Sequence, residues 1–171
     1  DAQSKQENQI AALKAFIQQK VEAIILAPKV ETGWEQVLTQ AKQAKIPVIL
    51  VDRGVNVSDP SLYTTLIASD FVEEGRRAGE WLAEKTSQTA NIVELQGTAG
   101  AAPANDRHKG FEEAISKYPN MKITRSQSGD FNRAKGKEVM EAFLKADPNI
   151  TAVYAHNDDM ALGAIQAIGE V

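Results

Sequence analysis

The sequence predicts an α/β protein built from two doubly wound lobes with parallel sheets. Short apolar runs without alternation, such as residues 46–51, are typical of strands buried on both faces under helices. Amphipathic helical stretches separate these runs, and the connections are short enough for right-handed crossovers. The strand–helix order before and after residues 54–70 is similar. We therefore predict two domains, residues 1–69 in an N-terminal lobe and residues 70–171 in a C-terminal lobe.

The first lobe is predicted to begin with a helix, because Ile10, Leu13, Ile17 and Val21 recur at helical spacing. Trp34 fits the apolar stripe of the next helix, and we interpret it as a structural residue. Residues 54–61 are rich in Gly, Asn, Ser, Asp and Pro, which predicts a loop. The predicted elements are a helix over 3–20, a strand over 23–27, a helix carrying Trp34 to Ala41, a strand from Pro47 and a strand over 63–68.

The second lobe is predicted to start at Asp70, which is placed to cap a helix with Glu73 three residues later. A helix striped by Val139, Met140 and Phe143 should stop before Pro148. The other predicted elements are strands over 91–95, 121–126 and 151–155, a helix through Phe111 and Ile115, and a final helix opened by residues 156–159. No strand precedes the first helix and none follows the last. We therefore expect a piece of a larger protein, with both lobes incomplete.

The composition excludes several classes of function. The net charge is −4 with no basic block, whereas nucleic-acid binding needs clustered Lys and Arg. No apolar run is long enough to cross a membrane. Cysteine is absent, which removes disulfides and thiolate chemistry and is compatible with the cytosol or the periplasm. We expect no cofactor and no metal, since His156, Asp158 and Asp159 lack the spacing of a zinc helix.

Asp52 and Arg53 are the first candidate ligand-binding residues, because they follow the strand from Pro47 directly. Ligands of open α/β sheets bind beyond the carboxyl ends of the strands. A carboxylate and a guanidinium at that position can together bind a polyhydroxylated ligand. The alternative is an ion pair at the end of a strand.

Three further positions carry candidate polar or aromatic groups. Asn157 follows a predicted strand and offers both a donor and an acceptor to a ligand, whereas Asp158 is expected to cap the helix. Arg107 faces either the same cleft or solvent, and the sequence slightly favours solvent. Phe131 either covers the helix below it or stacks on a sugar ring. Residues 97–100 fit neither a P-loop nor a dinucleotide-binding pattern.

Five segments occur in an order that resembles one family. They are Val51–Arg53, Ile67–Asp70, Val93–Gly97, Asp130–Gly136 and Ala155–Ala164. The chain resembles the periplasmic sugar-binding proteins of bacterial ABC transporters, of the ribose-binding type, over nearly its whole length. The resemblance implies a type I fold of two lobes with sugar in the cleft between them. It places the sugar contacts on Asp52, Arg53, Ser69, Arg107, Phe131 and Asn157.

The resemblance also implies a periplasmic receptor that delivers a monosaccharide to an ABC transporter membrane permease. The sugar is expected to be an aldose, with galactofuranose as one candidate. Ala27 departs from ribose binders, which carry Asn there, so ribose itself is not supported. The alternative function is the effector-sensing core of a lactose-repressor-type regulator. An enzyme is not expected, because no serine or other nucleophile is marked beside a base.

Overall fold

A computed structural model describes residues 2–170, and these residues form two compact units. The first unit takes the chain up to Ser69, together with the short segment Gly100–Ala102. The second unit consists of Asp70–Ala99 and the chain from Pro103 onward. The return of Gly100–Ala102 to the first unit is fixed by a backbone hydrogen bond of 2.9 Å from Glu31 N to Gly100 O. That the units are partial lobes of a larger protein remains a prediction.

The first unit is a parallel three-stranded sheet in the order β1-β2-β3. Along the chain it contains α1 (Gln6–Gln18), β1 (Ile24–Leu26), α2 (Glu35–Gln43), β2 (Val48–Val51), a 3₁₀ turn (Pro60–Leu62) and β3 (Thr65–Ile67). Every predicted element of this lobe is present; most are somewhat shorter than predicted, whereas α2 begins one residue after Trp34 and ends two residues beyond Ala41. Trp34 is fully buried and its Nε1 donates to Val30 O at 2.7 Å, so its structural interpretation is confirmed.

The prediction that the strand after Pro47 is buried on both faces is wrong within this unit. Val48 and Leu50 are buried beneath the residues of α1 and α2, whereas Ile49 and Val51 are only half-buried. In the neighbouring strand, Ile25 is 71% exposed. Both helices of the unit pack on the same face of the sheet, so the opposite face has no helix of this unit over it.

The second unit is a parallel sheet in the order β5-β4-β6. Its elements are α3 (Phe71–Lys85), β4 (Thr89–Gln96), α4 (Ala102–Ile115), β5 (Asn120–Ser128), α5 (Arg133–Ala146), β6 (Ala152–Ala155) and α6 (Asp158–Gly169). Ile92 packs with residues of α3 and α4, and the next residue, Val93, packs with residues of α5 and α6. Helices therefore cover both faces, and the doubly wound arrangement is confirmed for this sheet.

Two features position the start of this unit. Asp70 caps α3 as predicted, since its Oδ1 accepts a hydrogen bond of 3.0 Å from Glu73 N. Helices α3 and α4 approach so closely that a Cβ added to Gly75 would lie 2.1 Å from Arg107 O. This approach requires glycine and brings side chains of α3 against Arg107.

Within residues 2–170, no helix is both long and apolar enough to cross a membrane.

Candidate functional site

In the first unit, Asp52 and Arg53 lie at the carboxyl end of β2, as the sequence predicts. Asp52 has a left-handed backbone with φ +64°, a conformation that Asp tolerates better than most residues, and its N donates to Ile67 O at 2.9 Å. Its side chain is 69% exposed, while that of Arg53 is only 20% exposed. Arg53 Nη1 donates to Lys29 O at 2.9 Å, and its Nε lies 3.8 Å from Asp52 Oδ2. The pair is therefore anchored through the arginine, with the carboxylate accessible. Ser69 follows β3 and is exposed.

In the second unit, Arg107 does not lie on a solvated face, and that interpretation was wrong. Its Nε and Nη2 both lie 2.9 Å from Glu74 Oε2, and its side chain is 20% exposed. The guanidinium lies 4.7 Å from the ring centre of Phe71 and 6.0 Å from that of Phe131. The close packing of α3 on α4 is the cause, since it places Phe71 and Glu74 over the arginine.

Phe131 lies over the loop that follows β4. A Cβ added to Gly97 would lie 1.9 Å from Phe131 Cζ, so only glycine leaves room for the ring. Asp130 and Phe131 both have left-handed backbones, with φ of +55° and +56°. A hydrogen bond of 2.6 Å from Thr98 Oγ1 to Asp130 Oδ1 joins the two loops. The ring is half-buried against the core of the second unit, which leaves part of it accessible.

Asn157, rather than Asp158, caps α6, so the prediction that Asp158 is the cap is wrong. Asn157 has an extended backbone, and its Oδ1 accepts from Met160 N at 3.0 Å. Its Nδ2 donates to Phe131 O at 3.3 Å. Strand β6 ends at Ala155, so the extended residue that precedes the helix is Asn157, and Asp158 is already helical. The amide therefore has a structural role and ties α6 to the loop of Phe131.

A pocket of about 310 Å³ brings Arg107 and Asn157 together beside the end of β6. Its lining combines charged, amide and aromatic side chains with the apolar Ala78 and Ala155. The other lining residues are Glu74, Tyr154, His156 and Asp158. Glu74 was not among the residues that the sequence singled out, because one Glu in a charged helical turn resembles any solvated position.

Sequence reasoning also missed Glu94, which is fully buried under the site. Four side chains direct donors at its carboxylate: Ser126 Oγ at 2.6 Å, Gln96 Nε2 at 3.0 Å, His156 Nε2 at 2.9 Å and His108 Nδ1 at 2.9 Å. Burial raises the pKa of Glu94, but the hydrogen bonds from His156, Ser126, Gln96 and His108 outweigh it and lower the pKa to about 2. The sequence feature that could have identified Glu94 is its position inside an apolar run, between Val93 and Leu95.

The tautomer of His156 follows from its partners. Its Nδ1 accepts from Gly97 N at 3.2 Å, so Nε2 carries the proton that it donates to Glu94. The imidazole is therefore neutral, and it links the buried carboxylate to the loop beneath Phe131. Within residues 2–170, no three His, Asp or Glu side chains are grouped in a way that could hold a metal ion.

Comparison with known proteins matches residues 1–171 to the model of the periplasmic binding protein domain. The chain belongs to this family. It is 58% identical over 174 residues to the galactofuranose-binding protein YtfQ of Escherichia coli (strain K12), covering 99% of the chain and 55% of that relative. It is 36% identical over 168 residues to the ribose import binding protein RbsB of Bacillus subtilis (strain 168), covering 98% of the chain and 53% of that relative. The chain thus spans about half the length of these relatives.

Solved structures give the same result for the fold. A crystal structure of a galactofuranose binding protein superposes with a TM-score of 0.97 at 58% identity, covering 99% of the chain and 59% of that structure. The binding protein of the arabinose ABC transporter from Shewanella sp. ANA-3, bound to alpha and beta-L-arabinofuranose, superposes with a TM-score of 0.96 at 62% identity, covering 99% and 57%. The predicted type I fold and the resemblance to sugar-binding proteins are confirmed.

Proposed function

We propose that this chain forms part of a non-enzymatic receptor for a monosaccharide. The receptor binds an aldose, with galactofuranose or another furanose as the leading candidate, and delivers it in the periplasm to the membrane permease of an ABC importer. The observation that carries the proposal is Arg107. It is immobilised by Glu74 and two aromatic rings in a pocket at the carboxyl end of a parallel sheet.

The candidate residues offer what a sugar requires. Each hydroxyl both donates and accepts hydrogen bonds, while the C–H face of the ring is apolar. Arg53 and Arg107 supply donors, the exposed carboxylate of Asp52 supplies acceptors, and Phe131 supplies an aromatic face. We propose that these residues contact the sugar. Ser69 belongs to the same proposed set.

Asn157 is included with a narrower role than the sequence predicted. Its oxygen accepts from Met160 N and one amide hydrogen is directed at Phe131 O, which leaves its second amide hydrogen for a hydroxyl. Asn157 would therefore contribute one donor and also fix the position of Phe131.

The relatives favour this function over a transcription regulator, since those named above are binding proteins for sugars, and RbsB is named for import. The furanose preference is supported by the two relatives named for galactofuranose and arabinofuranose.

Isothermal calorimetry on the full-length protein tests the proposal, with D-galactose, L-arabinose, D-ribose and D-glucose as ligands. We expect D-galactose or L-arabinose to bind. Arg107→Ala should weaken that binding by roughly 2–4 kcal/mol, because a buried hydroxyl loses a charged partner. Arg77→Ala is the matched control, since Arg77 lies on the exposed side of α3 and pairs with Glu73. Absence of sugar binding, or unchanged affinity in both Arg53→Ala and Arg107→Ala, would contradict the proposal.

A further inference from the structure

We propose that Glu74 selects the charge of the ligand, by neutralising Arg107 and by accepting a hydroxyl hydrogen with its second oxygen. This inference rests on the proposed function and names a specificity-determining residue for the same site. Its basis is the geometry of one carboxylate, one guanidinium and the pocket that they line together.

The two oxygens of Glu74 have different surroundings. Oε2 lies 2.9 Å from both Nε and Nη2 of Arg107. Oε1 has no hydrogen-bond partner within the part of the chain that the structure describes, and the side chain is 41% exposed at the edge of the pocket. One oxygen therefore fixes the arginine, and the other is free to accept from a ligand.

The fixed arginine keeps donors for the ligand. A guanidinium has five N–H groups, and Glu74 accepts a hydrogen bond from the one on Nε. The ion pair and the Phe71 ring at 4.7 Å fix the orientation of the planar guanidinium, and Nη1 and Nη2 carry its other N–H groups. Because Glu74 already restrains the Arg107 side chain, less side-chain conformational entropy is lost when a sugar binds.

The charges of the pocket favour a neutral ligand. Arg107 is its only cationic side chain among the lining residues, and it is paired with Glu74. Asp158 adds a second carboxylate, and His156 is neutral because its Nδ1 accepts from Gly97 N. Arg53, the other arginine of the proposed set, also has a carboxylate beside it, since Asp52 Oδ2 lies 3.8 Å from its Nε. A sugar acid or sugar phosphate would therefore meet no arginine without a neighbouring carboxylate, whereas anion sites in proteins present unpaired arginine donors.

The adjacent Glu73 shows that the pairing is specific to Glu74. Glu73 Oε1 accepts from Arg77 Nε at 2.9 Å, and its other oxygen pairs with Arg76. Those partners lie on α3 itself, and Glu73 does not line the pocket. Glu73→Gln is therefore a control that removes the same charge from the same helical turn without touching Arg107.

The test compares D-galactose with D-galacturonate, the same sugar with a carboxylate in place of its terminal hydroxymethyl group. Calorimetry is carried out on full-length wild type, Glu74→Gln, Glu74→Ala and Glu73→Gln. We expect Glu74→Gln to weaken galactose binding by about tenfold and to shift the galactose-to-galacturonate affinity ratio toward the acid by at least about tenfold. The gain for the acid should shrink with added salt, because it comes from an uncompensated charge.

A ratio that stays within about twofold of wild type in both Glu74 variants, while wild type binds galactose, would overturn this inference alone. Failure of wild type to bind any neutral sugar would instead overturn the proposed function. Thermal unfolding of each variant identifies loss of folding, and Glu74→Gln, which keeps the side-chain size, is the variant that decides the result. An equal shift in Glu73→Gln would show a general charge effect and would also contradict the role of Glu74.

Discussion

Replacing Glu94 by Gln tests the buried network that supports the loop of Phe131. The carboxylate accepts hydrogen bonds from four side chains, two of them the only histidines of the sequence. Gln has the same shape, but an NH₂ group, which donates hydrogen bonds, replaces one of the two carboxylate oxygens. In either amide orientation, at least one N–H or O–H donor then faces another donor in a site that water does not reach.

The loss in free energy of unfolding that we expect for Glu94→Gln follows from the pKa of Glu94. Its pKa falls from an ordinary 4.5 to about 2 in the folded protein. Because one pKa unit corresponds to about 1.4 kcal/mol, the ionised carboxylate contributes roughly 3 kcal/mol to the free energy of unfolding. Glu94 is fully buried, so solvent screening does not reduce this figure. We expect Glu94→Gln to lose at least about 3 kcal/mol at neutral pH.

The pH dependence gives a second readout with a definite sign. A pKa lowered by folding contributes stability above the unfolded pKa, and that stability is lost as the pH falls through the folded pKa. The difference between wild type and Glu94→Gln should therefore be complete above about pH 5, roughly halved near pH 3 and almost gone below pH 2. Glu73→Gln is the control and should cost clearly less than Glu94→Gln, because the carboxylate of Glu73 is only half-buried and water can replace its ion-pair partners.

Urea unfolding followed by circular dichroism measures all three proteins across this pH range. A loss in Glu94→Gln below about 1 kcal/mol would contradict this expectation, since the four hydrogen bonds would then contribute little net stability. A difference that does not change between about pH 5 and pH 3 would show that the carboxylate is not the titrating group.

Two further predictions concern ligand binding and the chain as given. Phe131→Ala should be stabilised less by saturating sugar than wild type is, because it loses the stacking face; equal shifts in the thermal midpoint would argue against stacking. A polypeptide limited to residues 1–171 should bind sugar at least about a hundredfold more weakly than full-length protein, since contacts from elsewhere in the binding protein would be lost. It should also self-associate in light scattering, because Ile25, Ile67 and Ile165 are largely exposed; a monomer with full affinity would refute both statements.

Much of the fold follows from periodicity and turn chemistry. Asp70 was predictable as a cap because a helix N-terminus has orphan N–H groups that a short acidic side chain can accept. The prediction of Asp158 as the cap of α6 was wrong because Asn157, the neighbouring residue that can also cap a helix, is the one with an extended backbone. Which of the two is extended depends on where β6 ends. The buried-strand prediction failed for Ile49 because the apolar run is the same whether one face or both faces are covered.

The site was predictable where it depends on strand ends and not where it depends on helix contacts. Asp52, Arg53 and Asn157 follow strands, so their place at one edge of a sheet can be inferred from the chain order. The environment of Arg107 depends on the contact between Gly75 and the backbone of α4, 32 residues apart in sequence. No local pattern contains that contact, which is why Glu74 was missed and why the sequence slightly favoured a solvated face for Arg107.

A crystal structure of the full-length protein soaked with D-galactose or L-arabinose would show directly which of the proposed residues contact a sugar. We expect a sugar whose hydroxyls contact the guanidinium of Arg107, with the ring of Phe131 against its apolar face. Density for the sugar at another site, with Arg107 still bound only to Glu74, would contradict this expectation.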